Sequence, residues 1–231
     1  MSAIGDVRFE DCLPARVIPH RIGQTHTPGD YWSATTGTLV GYESWLESKW
    51  MTLLDFDPDV VAFAGQPLTF HGIDTDGTWI HTPDIFARHD DGAVLLLDVK
   101  NPDAVTDLDV IQQADRTRRT CDQLGWDYGV FTEPDRQLWA TASWLAGFRR
   151  PPLAGHEYLP RLLSLAQRPV RFGDLCSFCE IPELARPVLF HLCWRQEIVF
   201  DLTSPLQETT ILHARNDSHA YHVTPQPGEP R

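Results

Sequence analysis

Asp98 and Lys100 stand two residues apart at the end of the apolar run Val94-Leu95-Leu96-Leu97. Residues i and i+2 of a strand project from the same face, so an acid and an amine leave this strand together. Asp84 follows Pro83 on what reads as the opposing arm of a hairpin, with Asp90-Asp91-Gly92 as its turn. Hairpin pairing can set its carboxylate beside that of Asp98. Carboxylates converging at a strand end repel unless a hard cation neutralises them, and Mg²⁺ suits oxygen ligands of this kind, with Mn²⁺ as a substitute. Such an ion polarises a phosphate and acidifies a bound water. Lys100 would orient that water or offset charge on the phosphorane, and the Val99 carbonyl would add a ligand. The chemistry such a cluster would suit is metal-assisted phosphodiester hydrolysis.

The elements that must hold these groups are legible as an α/β pattern. Tyr42, Trp45, Leu46, Trp50, Leu53 and Leu54 recur at helical steps, and Asp57-Pro58 limits the far end. Glu47 lies on the flank of that stripe, placed to point across the sheet edge into the same cluster. The segments Val60–Ala64 and Pro67–Phe70 read as short strands flanking Gln66, which either touches DNA, orients the Glu47 carboxylate or caps a strand end. The hairpin arms are Trp79–Arg88 and Ala93–Lys100. Within the second, the run Val94–Leu97 is continuously apolar, as a strand covered on both faces should be. A helix over Leu108–Leu124 stops at Gly125. The strand Trp126–Thr132 is then best placed parallel to Ala93–Lys100 through a right-handed crossover.

Around this core, residues 1–38 read as an irregular lead-in rich in Pro, Gly, Thr and His. The Pro-rich stretch Arg149-Arg150-Pro151-Pro152 marks a boundary after a 39–150 domain. Helical patterns follow near Glu157–Ala166, Phe172–Cys179 and Leu184–Cys193, with strand candidates at Ile198–Leu202 and Thr209–Leu212. Helices followed by a two-stranded wing suggest a small winged-helix module over 153–214. The polar tail 215–231 reads as disordered.

Asp-x-Lys and Pro-Asp are common dipeptides, so the specificity lies in their combination with an upstream helix Glu and a downstream crossover. Residues 39–150 resemble the catalytic domain of TnsA-type heteromeric transposase endonuclease subunits, within the PD-(D/E)xK nuclease superfamily. The matching text is Gly41-Tyr42-Glu43-Ser44-Trp45-Leu46-Glu47, then Leu53-Leu54-Asp55-Phe56-Asp57-Pro58-Asp59-Val60 and Gln66-Pro67. It continues with His81-Thr82-Pro83-Asp84-Ile85 and Leu97-Asp98-Val99-Lys100. The resemblance implies a restriction-endonuclease-like mixed sheet flanked by helices, with Glu47, Asp84, Asp98 and Lys100 as catalytic residues. It also implies cleavage at the 5′ ends of a mobile element, with an integrase-type transposase working on the 3′ ends and an ATPase as regulator. Two rival readings use the same residues: a stand-alone nuclease of defence or repair, and a non-catalytic DNA-binding or scaffold protein that keeps the fold.

Charge bears on all three. Nineteen Lys plus Arg against 32 Asp plus Glu leave a net −13, which repels nucleic acid at long range. DNA affinity must then come from a partner or from a local basic surface, for which Arg116, Arg118 and Arg119, and Arg149-Arg150, are the candidates. His81 is either a phosphate contact or a hydrogen-bonded strand histidine. Asp55, Asp57 and Asp59 resemble a metal cluster, but acidic residues at a helix exit are more often solvated turn formers. Cys176, Cys179, His191 and Cys193 have the residue types of a zinc site, but they also fit an amphipathic helix with buried thiols. No apolar run approaches the roughly 18 residues of a membrane-spanning helix, and Met1–Glu10 lacks a signal-peptide pattern, so a cytoplasmic location is expected.

Overall fold

The computed structural model describes residues 7–16, 27–153, 155–216 and 220–225, and its contacts divide the chain into two compact units. The first holds the described residues up to Leu54, together with Asp59–Pro134 and Thr224-Pro225. The second holds Asp55–Pro58 and Asp135–Val223. The stretch after Pro134 therefore packs with the second unit, upstream of the Pro-rich segment at 149–152. Among the described residues no helix is long and apolar enough to cross a membrane.

In the first unit part of the expected irregular lead-in carries structure, and its residues 1–6 and 17–26 lie outside the described residues. Strand β1 (Gly29–Trp32) pairs antiparallel with β2 (Leu39–Tyr42), so Tyr42 ends a strand instead of starting the helix. Helix α1 (Trp45–Phe56) starts after Ser44, whose Oγ accepts from the Glu47 amide at 3.1 Å and satisfies one of the first-turn donors. Strands β3 (Val60–Gly65), β6 (Ile85–His89), β7 (Val94–Val99) and β8 (Asp127–Phe131) form a sheet in the order β3-β6-β7-β8. The β3-β6 and β6-β7 pairs are antiparallel, and β7-β8 is parallel. Helix α2 (Leu108–Leu124) makes the crossover and ends at Gly125, whose φ of +72° is the left-handed conformation that glycine adopts without a Cβ clash. The chain is thus mixed α/β, with a mixed sheet flanked by helices.

The hairpin needs one correction. Its first arm is not continuous from Trp79 to Arg88. Strand β5 (Gly77–His81) pairs with β4 (Phe70–Asp74) in a separate two-stranded sheet, and β6 begins only at Ile85. Thr82-Pro83-Asp84 breaks the run because Pro83 has no N–H to give to a ladder. The strand expected at Pro67–Phe70 likewise begins only at Phe70.

Alternation then sorts the side chains of the sheet. Phe86, Leu96, Tyr128 and Val130 share one buried cluster with Ala114 and Cys121 of α2. On the opposite face Trp50 of α1 meets Phe131 edge-on at 4.7 Å. Asp98 has the parity of Leu96 and so emerges on the α2 face.

The second unit contains α3 (Arg136–Leu145), α4 (Gly155–Leu165), β9 (Val170–Arg171), α5 (Phe172–Leu175), α6 (Pro182–Trp194), β10 (Ile198–Val199) and β11 (Ile211–Ala214). Its antiparallel sheet runs β10-β11-β9. Helix α3 and strand β9 were not anticipated from sequence. Residues 220–225 of the expected tail are among the described residues, and some of them are packed. Tyr221 stacks on Phe56 at 6.0 Å, and the Val223 amide donates to Asp57 at 2.6 Å. Asp57 is accordingly 2% exposed, a buried acceptor and not a solvated turn former. Asp55 is buried too. The remainder of the expected tail, residues 217–219 and 226–231, lies outside the described residues.

Candidate active site

Asp84 reaches the site because the β6-β7 ladder continues one residue past Ile85↔Leu97. Its amide donates to Leu97 O at 3.1 Å, while its Oδ2 accepts from the Val99 amide at 2.8 Å. Lys100 lies just past β7, where its backbone N–H still donates to Phe131 O at 2.9 Å. Its Nζ donates to Asp84 Oδ2 at 3.0 Å and to the Val99 carbonyl at 3.4 Å. Asp84 and Lys100 are an ion pair, a contact that the sequence reading did not include. Burial holds Asp84 above the ordinary carboxyl range; Lys100 opposes that shift and the Asp98 charge adds to it. Burial also works against the charge on Lys100, but Asp84 and then Asp98 hold it above the usual lysine value.

Asp98 is 2% exposed, and one oxygen is committed to the protein. Oδ2 accepts from the Tyr128 hydroxyl at 2.6 Å and faces His81 Nε2 at 2.7 Å. Oδ1 is buried and has no partner. Burial works to raise Asp98, but the His81 hydrogen bond, Lys100 and the Tyr128 hydroxyl hold it below the usual carboxylate range. Tyr128 is itself pushed up by burial and by Asp98, so it stays a donor. His81 ends β5 and is hydrogen-bonded to a site carboxylate, and it also lines the cleft on the α2 face. Tyr128 was missed by sequence reasoning. It reaches Asp98 only because the parallel register sets Leu96 opposite Tyr128 and Asp98 opposite Val130.

Glu47 is placed by the first turn of α1. Its Oε1 accepts from Ser44 Oγ at 2.8 Å and its Oε2 from the Glu43 amide at 2.9 Å, a reciprocal cap in the Ser-x-x-Glu pattern. Burial and then the Asp84 charge push it up to about 7. It is close enough to feel Asp84 without touching it. Among the described residues, Glu47, Asp84 and Asp98 do not bring one oxygen each within 4.8 Å of the others. Ser44→Ala should cost about 1 kcal/mol of stability, the usual loss of an N-cap, seen as a lower urea midpoint at unchanged slope.

Two clefts meet here. One, of about 500 Å³, lies on the α2 face and is lined by His81, Asp98, Gln113 and Tyr128 among others. The second, of about 690 Å³, lies along the start of α1 and is lined by Trp45, Glu47, Val99 and Asn101 among others. Asp84, Lys100 and Arg16 line both. Neither a protein-family model nor a curated protein sequence matches this chain. What the site can do must therefore be argued from its own groups.

Gln66 closes β3 with φ of +52° and is 1% exposed. Its amide donates to Asp84 O at 3.0 Å, so it supports Asp84 rather than Glu47. Its Oε1 accepts from Arg16 Nε at 3.0 Å, a contact that sequence spacing gave no means of finding. Arg116 lines neither cleft: it forks onto Asp74 of β4 at 2.6 and 3.1 Å, clamping α2 to the β4-β5 hairpin. Arg119 is exposed on α2, lines neither cleft, and bears on the same Asp74. In the second unit, Cys176, Cys179, His191 and Cys193 are all buried, and no three of their ligand atoms lie within 4.8 Å of one another. His191 Nδ1 bonds Phe148 O at 2.8 Å, and burial pushes the Cys176 thiol up to about 11, which suits a packing role.

Proposed function

We propose that this chain is a Mg²⁺-dependent DNA endonuclease with a restriction-endonuclease-like first unit, acting as the 5′-cutting subunit of a heteromeric transposase. One observation carries the chemistry: Asp84 and Asp98 sit at adjoining strand ends beside Lys100, and Asp98 keeps a buried oxygen with no partner. An orphaned carboxylate oxygen in a buried site costs free energy that a cation would recover. The donor types fit such a group, and the three carboxylates would have to draw closer to share one ion. Asp84, Asp98, Glu47 and the Val99 carbonyl offer only oxygen, the donor type that Mg²⁺ and Mn²⁺ prefer. When bound, the ion supplies Lewis acidity toward phosphate and water.

The remaining roles belong to the chain. Tyr128 and His81 hold Asp98 Oδ2, which leaves Oδ1 without a protein partner and available to the ion. Lys100 keeps its proton at Nζ and so serves as a fixed cation for the scissile phosphate and its attacking water, not as a base. Gln66 and Val99 fix Asp84 through the backbone. The 5′-cutting assignment, the integrase-type transposase and the ATPase regulator rest on the likeness of residues 39–150 to TnsA-type subunits. So does a cytoplasmic setting. The helix-strand-helix-helix-strand-strand order of α4 to β11, with β9 next to β11, supports a winged-helix reading of the second unit. At net −13, such a module serves docking to a basic transposase as much as reading a groove.

The metal assignment predicts a stability change that needs no DNA. Mg²⁺ at a hundredfold excess over its Kd should stabilise the protein by about 2.7 kcal/mol, and EDTA should reverse it. Thermal unfolding reads this directly. An identical melting point with Mg²⁺ and with EDTA would refute the assignment.

A further inference from the structure

Arg16 is the exposed cation of this site. Its side chain is 49% accessible, against 30% for Lys100, and it lines both clefts. The fold delivers it there by several anchors. Phe9 packs on Phe86 and Trp126 at 5.8 and 5.7 Å, Arg88 forks onto Glu10 at 2.8 and 3.1 Å, and the Ala15 amide donates to Gln66 O at 2.7 Å. The guanidinium is then held on two sides, by Gln66 Oε1 at 3.0 Å and by Glu43 Oε2 at 2.6 Å. Each holder is bonded to a site carboxylate residue, Gln66 to the Asp84 carbonyl and Glu43 to the Glu47 carboxylate, both through backbone amides.

The conformation of Gln66 shows that this arrangement is imposed. A buried non-glycine residue at φ of +52° costs on the order of 1 kcal/mol or more and persists only where the surroundings hold it. Its Nε2 is also buried without a partner. The side-chain orientation that leaves this donor unmet is the one that presents Oε1 to Arg16. Around the two clefts the other charges are mostly acidic: Glu43, Glu47, Asp84, Asp98, Asp109 and Glu133. Among the described residues lining them, Arg16 and Lys100 are the only Arg or Lys side chains, and Lys100 is engaged by Asp84. A polyanion crossing from one cleft to the other over Asp84 meets Arg16.

We propose that Arg16 is a phosphate clamp for the DNA strand, parked on Glu43 in the free protein and exchanging that carboxylate for a phosphodiester next to the scissile one. The assignment rests on the nuclease reading for its substrate, DNA, and adds a positioning residue supplied by the N-terminal segment. Arginine suits the task because its planar fork can keep Gln66 on one edge while a second edge takes phosphate oxygens.

The test uses the full chain in EDTA, so that binding is read without cutting, with a short fluorescent DNA duplex at roughly 50 to 200 mM salt. Arg16→Ala should weaken binding about tenfold, as expected for one charged hydrogen-bonding contact. It should also lower the slope of log affinity against log salt by about one contact. Glu43→Gln should tighten binding, because the parking carboxylate is gone, and should have no effect when combined with Arg16→Ala. Arg8→Ala, the same charge change in the same segment but outside both clefts, is the control. Arg16→Ala binding like Arg8→Ala would overturn the clamp. So would Glu43→Gln tightening binding equally without Arg16, or no binding by the wild type at the lowest salt. Glu43→Gln keeps the question open to decision if Arg16→Ala fails to fold. Cleavage of element-end DNA with Mg²⁺ and the integrase-type transposase present separates the two readings. Cutting that ignores Arg16 overturns the clamp alone, whereas Arg16-dependent binding without any cutting overturns the nuclease and leaves the clamp.

Discussion

Asp98→Asn is expected to lower the single-turnover rate of Mg²⁺-supported DNA cleavage by about 10³-fold or more, corresponding to several kcal/mol of transition-state stabilisation. The substitution preserves shape. An amide oxygen in place of Oδ2 still accepts from Tyr128, whose hydroxyl lies 2.6 Å from it, so the fold should persist. What disappears is the negative charge on the buried Oδ1, the atom left without a protein partner. The Mg²⁺-induced rise in melting temperature should disappear with it. Asp98→Ala is the cruder variant: it strands the Tyr128 hydroxyl and His81 and should cost a further 1–3 kcal/mol or about that in stability. Loss of cleavage in the alanine variant alone, with the asparagine variant still active, would show that Asp98 serves packing and not the ion.

Lys100→Ala is expected to separate chemistry from metal binding. Cleavage should fall by about 10²–10⁴-fold, the usual span for removing a group that manages a proton or a developing charge. Mg²⁺ affinity should be unchanged or tighter. Lys100 Nζ sits 3.0 Å from Asp84 Oδ2, where it offsets the charge that the ion would otherwise meet. Removing one cation from a shared carboxylate favours the other. Lys100→Arg should not restore the rate, because a planar guanidinium cannot place a compact charge at the same point. Calorimetry for the metal and single-turnover kinetics for the cut read the two effects separately. If Lys100→Ala lost the metal while Asp98→Ala kept it, the roles assigned here would be reversed.

Much of the core that positions these groups was legible in local pattern. The run Val94–Leu97 announced a strand covered on both faces, and β7 is buried along its whole length. The Gly125 stop placed the end of α2. The two-residue spacing of Asp98 and Lys100, with Asp84 across the ladder, pointed to one cluster at a strand end, but not to the ion pair of Asp84 with Lys100. Other features were hidden because their causes are not local. Pro83 split one expected arm into β5 and β6, since a missing N–H ends a ladder even where apolar alternation continues. Phe9, Arg16 and the β1-β2 hairpin come from a segment whose composition resembles a loop, and Gln66 is 50 residues away from Arg16. Tyr128 could not be paired with Asp98 before the parallel register was known. The buried Asp57, held by Val223 from near the far end of the chain, shows the same limit. Turn composition describes a residue's neighbours in sequence, not what folds over it.

The central claim is that Asp84, Asp98 and Lys100 form a divalent-metal phosphodiesterase site. The most direct test is cleavage of DNA carrying the ends of the mobile element, measured with this protein and an integrase-type transposase, in Mg²⁺ and in excess EDTA, for the wild type and for Asp98→Asn. The expected result is 5′-end cutting by the wild type in Mg²⁺, none in EDTA, and none above background with Asp98→Asn. Cutting that survives EDTA, or that Asp98→Asn performs at the wild-type rate, would contradict it.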